Sequence, residues 1–151
     1  MARIRVHVDI EATPAQVWDA IADVGSHVTW MHDAHAIRFT SSRHQGVGTT
    51  FECDTRIGPL RMVDDMEITR WRPRREMGVR HRGVVSGKGS FTLRPRRGRR
   101  RGGPVTRFTW SERLRFPLYL GGPLGALAAS PVLRWTWRRN LRTLRRLVEA
   151  S

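Results

Sequence analysis

The chain opens on a strict alternation. Ile4, Val6, Val8 and Ile10 are apolar and Arg3, Arg5, His7, Asp9 and Glu11 between them are polar, the period of a strand with one buried face. The pattern breaks at Thr13-Pro14-Ala15-Gln16. Thr13 can cap a helix, Gln16 can reach back to it, and the turns that follow would bury Val17, Trp18 and Ile21 before stopping near Gly25. Ser26 to Asp33 predicts a second short helical turn with Trp30 and Met31 as its apolar contacts. From there the chain reads as short strands: Ala36 to Ser41, Thr49 to Ile57, Arg61 to Trp71, Glu76 to Gly83, Gly87 to Arg94 and Val105 to Phe116. Gly46-Val47-Gly48, Gly58-Pro59, Arg72-Pro73-Arg74 and the Gly-rich run after Arg97 supply the turns. Near the C-terminus the period becomes helical, with Leu133, Trp137, Asn140, Leu141, Leu144, Leu147 and Val148 on one stripe and arginines over most of the rest. Ser130 as cap and Pro131 in the first turn predict a start there. A start near Pro123 with a bend at Pro131 is the other reading, because Leu124 to Ala129 is also helical in character. Either helix has at least about five turns, roughly 28 Å, enough to cross a small sheet.

Alternation also shows which polar side chains travel inward with apolar neighbours. Glu112 falls among Phe108, Trp110, Leu114 and Phe116; Asp64 among Met62, Met66 and Ile68; His81 follows Met77 and Val79. Three ionisable groups would then face one cavity. A carboxyl held against Trp and Leu has its charged form disfavoured and can relay a proton near neutral pH, with the histidine as complementary base. The competing reading pairs Asp64 and Glu112 with arginines such as Arg80 or Arg107 and leaves His81 at a strand end in water.

Length and charge narrow the picture. At 151 residues the chain is the size of one domain. It carries 28 Lys plus Arg against 13 Asp plus Glu, net +15, and every one of those cations except Lys88 is arginine. Such an excess favours acidic partners or reflects a GC-rich coding sequence, and says nothing of fold. Arg96, Arg97, Arg99, Arg100 and Arg101 form a loop that could hold phosphates weakly and non-specifically, on nucleic acid or an acidic membrane, since no aromatic is interleaved to stack bases. Trp135 lies on the arginine-rich face of the last helix, as in helices that dock on membranes or partners. Cys53 is alone, so no internal disulfide forms, which fits a reducing cytoplasm, and sequence places no base near it to make it a nucleophile. The first residues lack the apolar run of a signal peptide, and Leu118 to Leu133 is too short and interrupted to span a bilayer. The histidine spacing at His32 and His35 lacks a second ligand pair, so no metal is expected, and no phosphate-binding glycine fingerprint implies a cofactor.

The order of elements and the stretches IEATPAQVWDAIADVGSHVTWM at positions 10 to 31, GVGTTFEC at 46 to 53, EITRWRPRREMGVR at 67 to 80, FTLRP at 91 to 95 and VTRFTW at 105 to 110 resemble the polyketide cyclase/dehydrase and lipid-transport family. That family belongs to the START-like, or SRPBCC, superfamily. The resemblance implies an α+β helix-grip fold like that of the birch-pollen allergens. In it a curved seven-stranded antiparallel sheet grips a long C-terminal helix, two short helices follow the first strand, and a cavity between sheet and helix receives an apolar ligand. Phe51, Cys53, Met62, Met66, Phe91, Trp110, Leu133 and Trp137 are then candidates for the lining, and Pro117 to Ala129 for its mouth or lid. Three functions are open on this scaffold. The first is binding of a lipid, an isoprenoid or an aromatic polyketide. The second is cyclase or dehydratase chemistry through Glu112, Asp64 and His81, and the third is a basic module docking on RNA, ribosome or acidic membrane.

Overall fold

In the computed structural model, which describes residues 1–97 and 102–151, seven strands form one sheet. They are β1 (Ala2–Ile10), β2 (Ala34–Phe39), β3 (Thr50–Ile57), β4 (Leu60–Arg72), β5 (Glu76–Arg82), β6 (Ser86–Arg96) and β7 (Val105–Arg115). Their order is β1-β7-β6-β5-β4-β3-β2, and every neighbouring pair is antiparallel. The first two strands in sequence are thus the opposite edges of the sheet. The chain crosses between them through helix α1 (Pro14–Ile21) and a 3-10 segment, Val24–Thr29.

Local chemistry sets both short helices. Thr13 Oγ1 accepts from the Gln16 amide at 3.1 Å while Gln16 Oε1 accepts from the Thr13 amide at 2.8 Å, the reciprocal capping box that satisfies two otherwise orphaned donors. Asp23 Oδ1 accepts from the Gly25 amide and starts the 3-10 segment. Val17, Trp18 and Ile21 are buried, as their spacing predicts.

The long helix, α2, runs Gly122–Glu149, 28 residues. Of the two starts open in the sequence the earlier one is correct: Pro123 sits in the first turn and Pro131 lies inside the helix. Ser130 is therefore no cap, and its hydroxyl donates to the Ala126 carbonyl at 2.8 Å. A proline inside a helix removes the amide that would reach the carbonyl four residues earlier. Here that residue is Leu127, whose side chain is exposed, so the lost bond falls on the solvent side where water can replace it. Leu133, Trp137, Asn140, Leu141, Leu144 and Val148 are buried, but Leu147 is 46 % exposed and does not belong to the stripe. Trp135 is also exposed, with the Arg139 guanidinium 5.7 Å from its ring.

The core lies between the inner face of the sheet and α2. Helix α2 packs chiefly on β1 and less on β7. An aromatic cluster of Trp30, Phe91, Phe108, Trp110 and Trp137 fills the centre, with Trp110 and Trp137 stacked at 4.6 Å and 14°. Each large apolar side chain buried here is worth about 1.5–3 kcal/mol. Because the helix follows one side of the sheet, the concave space over β3 and β4 near its N-terminal half is left open.

Candidate functional site

The antiparallel register brings the three inward polar residues together. Met66 of β4 is opposite His81 of β5, and Glu112 of β7 is two positions along the same face from Leu114, which shares the His81 row through Gly87. Nδ1 of His81 lies 2.8 Å from Asp64 Oδ2, and its Nε2 lies 2.8 Å from Glu112 Oε2. The chain of bonds continues, since Trp110 Nε1 donates to Glu112 Oε1 at 3.0 Å. Asp64 Oδ1 is buried and has no hydrogen-bond partner among the described residues. Side-chain exposures of 10 % for His81, 14 % for Asp64 and 5 % for Glu112 make this a largely desolvated network.

Strand β6 makes the room. Gly87 and Gly89 occupy its two inward positions beside the network, Gly89 between Val79 and Glu112 and Gly87 between His81 and Leu114. A Cβ on Gly89 would overlap the Glu112 carboxylate, and one on Gly87, which has φ +143°, would overlap the Arg113 carbonyl. A glycine inside a strand often marks such a close approach. That was the signal in the sequence for a packed carboxylate at this point.

A neutral imidazole has one N–H, yet both ring nitrogens of His81 face carboxylate oxygens. Burial works against a charge on the ring, but the Glu112 charge, the hydrogen bonds from Asp64 and Glu112 and the Asp64 charge outweigh it and hold its pKa well above the ordinary value. The ring is then an imidazolium that donates to Asp64 and to Glu112. With both nitrogens so engaged, the three side chains form a linear relay and do not converge on a common point as metal ligands would.

A cavity of about 480 Å³ adjoins the network, in the usual range for small-molecule sites. Asp64 and His81 stand in its wall with Met62, Leu114, Phe116, Ala129, Leu133 and Trp137. Glu112 is behind His81 and lines instead a smaller void of about 70 Å³ together with Phe51, Cys53, Met66 and Phe91. Of the eight residues read as lining, only Met62, Leu133 and Trp137 therefore border the large cavity. Trp110 borders neither and stacks on Trp137. The large cavity lies further toward the Gly58-Pro59 turn than strand alternation alone suggested, because the aromatic cluster fills the centre.

The description polyketide cyclase/dehydrase and lipid transport belongs to a family whose profile matches residues 1–149. The chain is a member of that family. No curated protein matches it. Among solved structures, TTHA0849 from Thermus thermophilus has 16 % identity and TM-score 0.71 over 98 % of this chain and 97 % of the other. XoxI from Bacillus cereus has 14 % identity and TM-score 0.73 over 98 % and 96 %. DynU16, a protein of the dynemicin biosynthetic locus, has 20 % identity and TM-score 0.68 over 99 % of this chain but 48 % of its own length. These likenesses are of fold.

One residue of this polyketide cyclase/dehydrase family member escaped the sequence reading. Asp33, just before β2, lines the large cavity. Its Oδ1 accepts from Asn140 Nδ2 at 2.7 Å and its Oδ2 from Trp137 Nε1 at 3.3 Å, while Asn140 Oδ1 accepts from the His32 amide at 2.8 Å. Asn140 is fully buried. Burial raises the Asp33 pKa, opposed by the bonds from Asn140 and Trp137. Nothing in the period of β2 marks Asp33, since it lies in the loop; a buried polar Asn140 on an otherwise apolar stripe was the visible hint.

Among the described residues no arginine pairs with the network. Arg107 pairs with Asp9 at 2.8 Å on the outer face of the sheet, and Arg80 is exposed. Neither pairs with Asp64 or Glu112, as the competing reading required. Arg96 and Arg97 border a groove shared with Asp9, Glu11, Arg107, Arg145 and Glu149, so acids are interspersed with the cations. Arg99, Arg100 and Arg101 fall outside the described residues. Among the described residues no helix is long and apolar enough to cross a membrane.

Proposed function

We propose that the protein binds a hydrophobic small molecule, a lipid, an isoprenoid or an aromatic polyketide, in the cavity between sheet and α2. The observation that carries this reading is the 480 Å³ cavity, walled mostly by aliphatic and aromatic side chains with a few polar groups at one side. That composition suits an apolar ligand oriented by a small number of hydrogen bonds. Family membership supports the same role. Phe116, just before the Pro117 to Ala129 segment read as mouth or lid, and Ala129, at its end, border the cavity, while Leu118, Tyr119, Leu124 and Leu127 within it are exposed. Native mass spectrometry of the purified protein, followed by organic extraction, tests the proposal. An apolar adduct at one per chain is expected, and Ala129→Trp, which fills the cavity, should lose it while remaining folded. A bare mass that stays unchanged after incubation with lipids and polyketides would sink it.

The Asp64–His81–Glu112 relay favours a second reading, a cyclase or dehydratase. In it Asp64 takes a proton from the carbon next to a ligand carbonyl, the C–O bond at the next carbon breaks, and the departing hydroxyl recovers a proton as water. His81 steadies the charge on Asp64 as it changes, and Glu112 holds His81. Asp64 and His81 are the catalytic residues of this scheme and Glu112 positions the ring. Turnover that is the same in Asp64→Asn and in the unaltered protein would rule it out.

A further inference from the structure

We propose that the cavity selects apolar molecules bearing a hydrogen-bond donor, such as a hydroxyl, and rejects those bearing a carboxylate. The inference rests on the ligand-binding reading above and names the class of ligand.

The distribution of charge carries it. The chain has 28 cations, yet none of the described residues lining the large cavity is Arg or Lys. Its ionisable wall residues are Asp33, Asp64 and His81. The His81 ring is shared between Asp64 and Glu112, so its positive charge is already matched and exceeded by two carboxylates. Asp33 receives bonds from Asn140 and Trp137, both neutral donors, and forms no salt bridge among the described residues. A ligand carboxylate would enter a low-dielectric space whose fixed charges are mainly negative and would find no cation to pair with, which is the costly arrangement for a buried charge.

The hydrogen-bonding capacity points the same way. An ionised carboxylate only accepts, and the side-chain N–H groups in this wall, on His81 and Trp137, are already bonded to Asp64, Glu112 and Asp33. The acids in the cavity wall, Asp33 and Asp64, offer a ligand acceptor oxygens, so a ligand that brings an O–H to this wall finds a partner and one that brings another acceptor does not. The walls thus ask for a donor twice, by charge and because their own side-chain N–H groups are already taken. A neutral hydroxylated chain, ring or phenol meets both demands. Sites built to hydrogen-bond one hydroxyl discriminate strongly against analogues without it.

Three probes with the same tail separate the possibilities: dodecanol, dodecyl methyl ether and dodecanoate, each titrated at neutral pH against a displaceable fluorescent dye and checked by native mass spectrometry. Dodecanol is expected to bind at least about tenfold more tightly than either of the others, the scale of one buried polar mismatch. In Asp64→Asn the preference over dodecanoate should shrink by about tenfold, because the variant removes a charge and supplies a donor. Dodecanoate binding as tightly as dodecanol in the unaltered protein would overturn the selectivity and leave the ligand-binding reading standing. Binding of none of the three, together with a bare mass from the purified protein, would overturn both. The unaltered protein gives the decisive ratio even if the variant fails to fold.

Discussion

Gly89 and Glu112 stand opposite each other on β6 and β7, and the carboxylate occupies the volume a side chain at Gly89 would need. The absence of a Cβ on one strand is what lets an acid on the next reach His81. Gly89→Ala should displace Glu112 and lengthen its bond to His81, at about 1–3 kcal/mol of stability. Combined with Glu112→Ala, the second change should add little, since the group it collides with is gone. Chemical denaturation of the two single variants and the double variant measures the coupling. Simple additivity would show that the two sites are independent.

Two histidines set opposite limits on the pH range of stability. The folded-state pKa of His81 is raised above its ordinary value by Glu112 and Asp64 against the effect of burial. Its contribution is therefore complete below about 6.5, the unfolded value, and is lost as pH climbs through the higher folded value. His27 is the reverse case. Burial pushes its pKa down to about 4, and the neutral ring donates from Nε2 to the Ile21 carbonyl at 2.8 Å. The unfolded chain takes up a proton that the folded one refuses, so stability falls as pH drops from about 6.5 toward 4, by on the order of 3 kcal/mol in all. Denaturation midpoints across this range should peak near pH 6.5. His27→Gln should flatten the acid side and His81→Gln the alkaline side.

Asn140 ties the loop before β2 to α2 through Asp33 and the His32 amide. Replacing it with leucine should leave the His32 amide and an Asp33 carboxylate oxygen without their Asn140 partners, at about 1–3 kcal/mol. The Asp33 carboxyl, whose pKa burial already raises, should rise further for want of the Asn140 donor. Carbon-detected NMR titration of the Asp33 carboxyl would follow it in the milder Asn140→Ser variant.

Cys53 is buried between β2 and β4, and burial pushes its thiol up to about 12, opposed only by a weak contact from Thr55. The thiolate is the reactive form. A thiol-specific reagent added to the folded protein at neutral pH should react at the rate of global unfolding and become fast only in denaturant. Rapid labelling under native conditions would mean that the β2 edge opens locally.

The sequence by itself determined the elements and their inward faces. The alternation of Ile4, Val6, Val8 and Ile10, the Thr13 and Gln16 capping box, and the strand boundaries around Gly58, Arg72 and Gly83 are local matters of side-chain period, backbone sterics and nearest polar partners. Because β-strand parity is likewise local, Asp64, His81 and Glu112 could be assigned to the same face before their contacts were known. Tertiary structure decided what those faces meet. Whether α2 began at Pro123 or Pro131 depended on which side of the helix lost a hydrogen bond, and that side is known only once the helix is docked. The union of His81 with two acids depended on register across four strands, β4 to β7, and on the space left by Gly87 and Gly89. The place of the cavity depended on where five aromatic rings from distant segments came to rest. Asp33 joined its wall because Trp137 and Asn140, more than a hundred residues away, hold it there. Such contacts arise from close packing between remote parts of the chain, which no local period encodes.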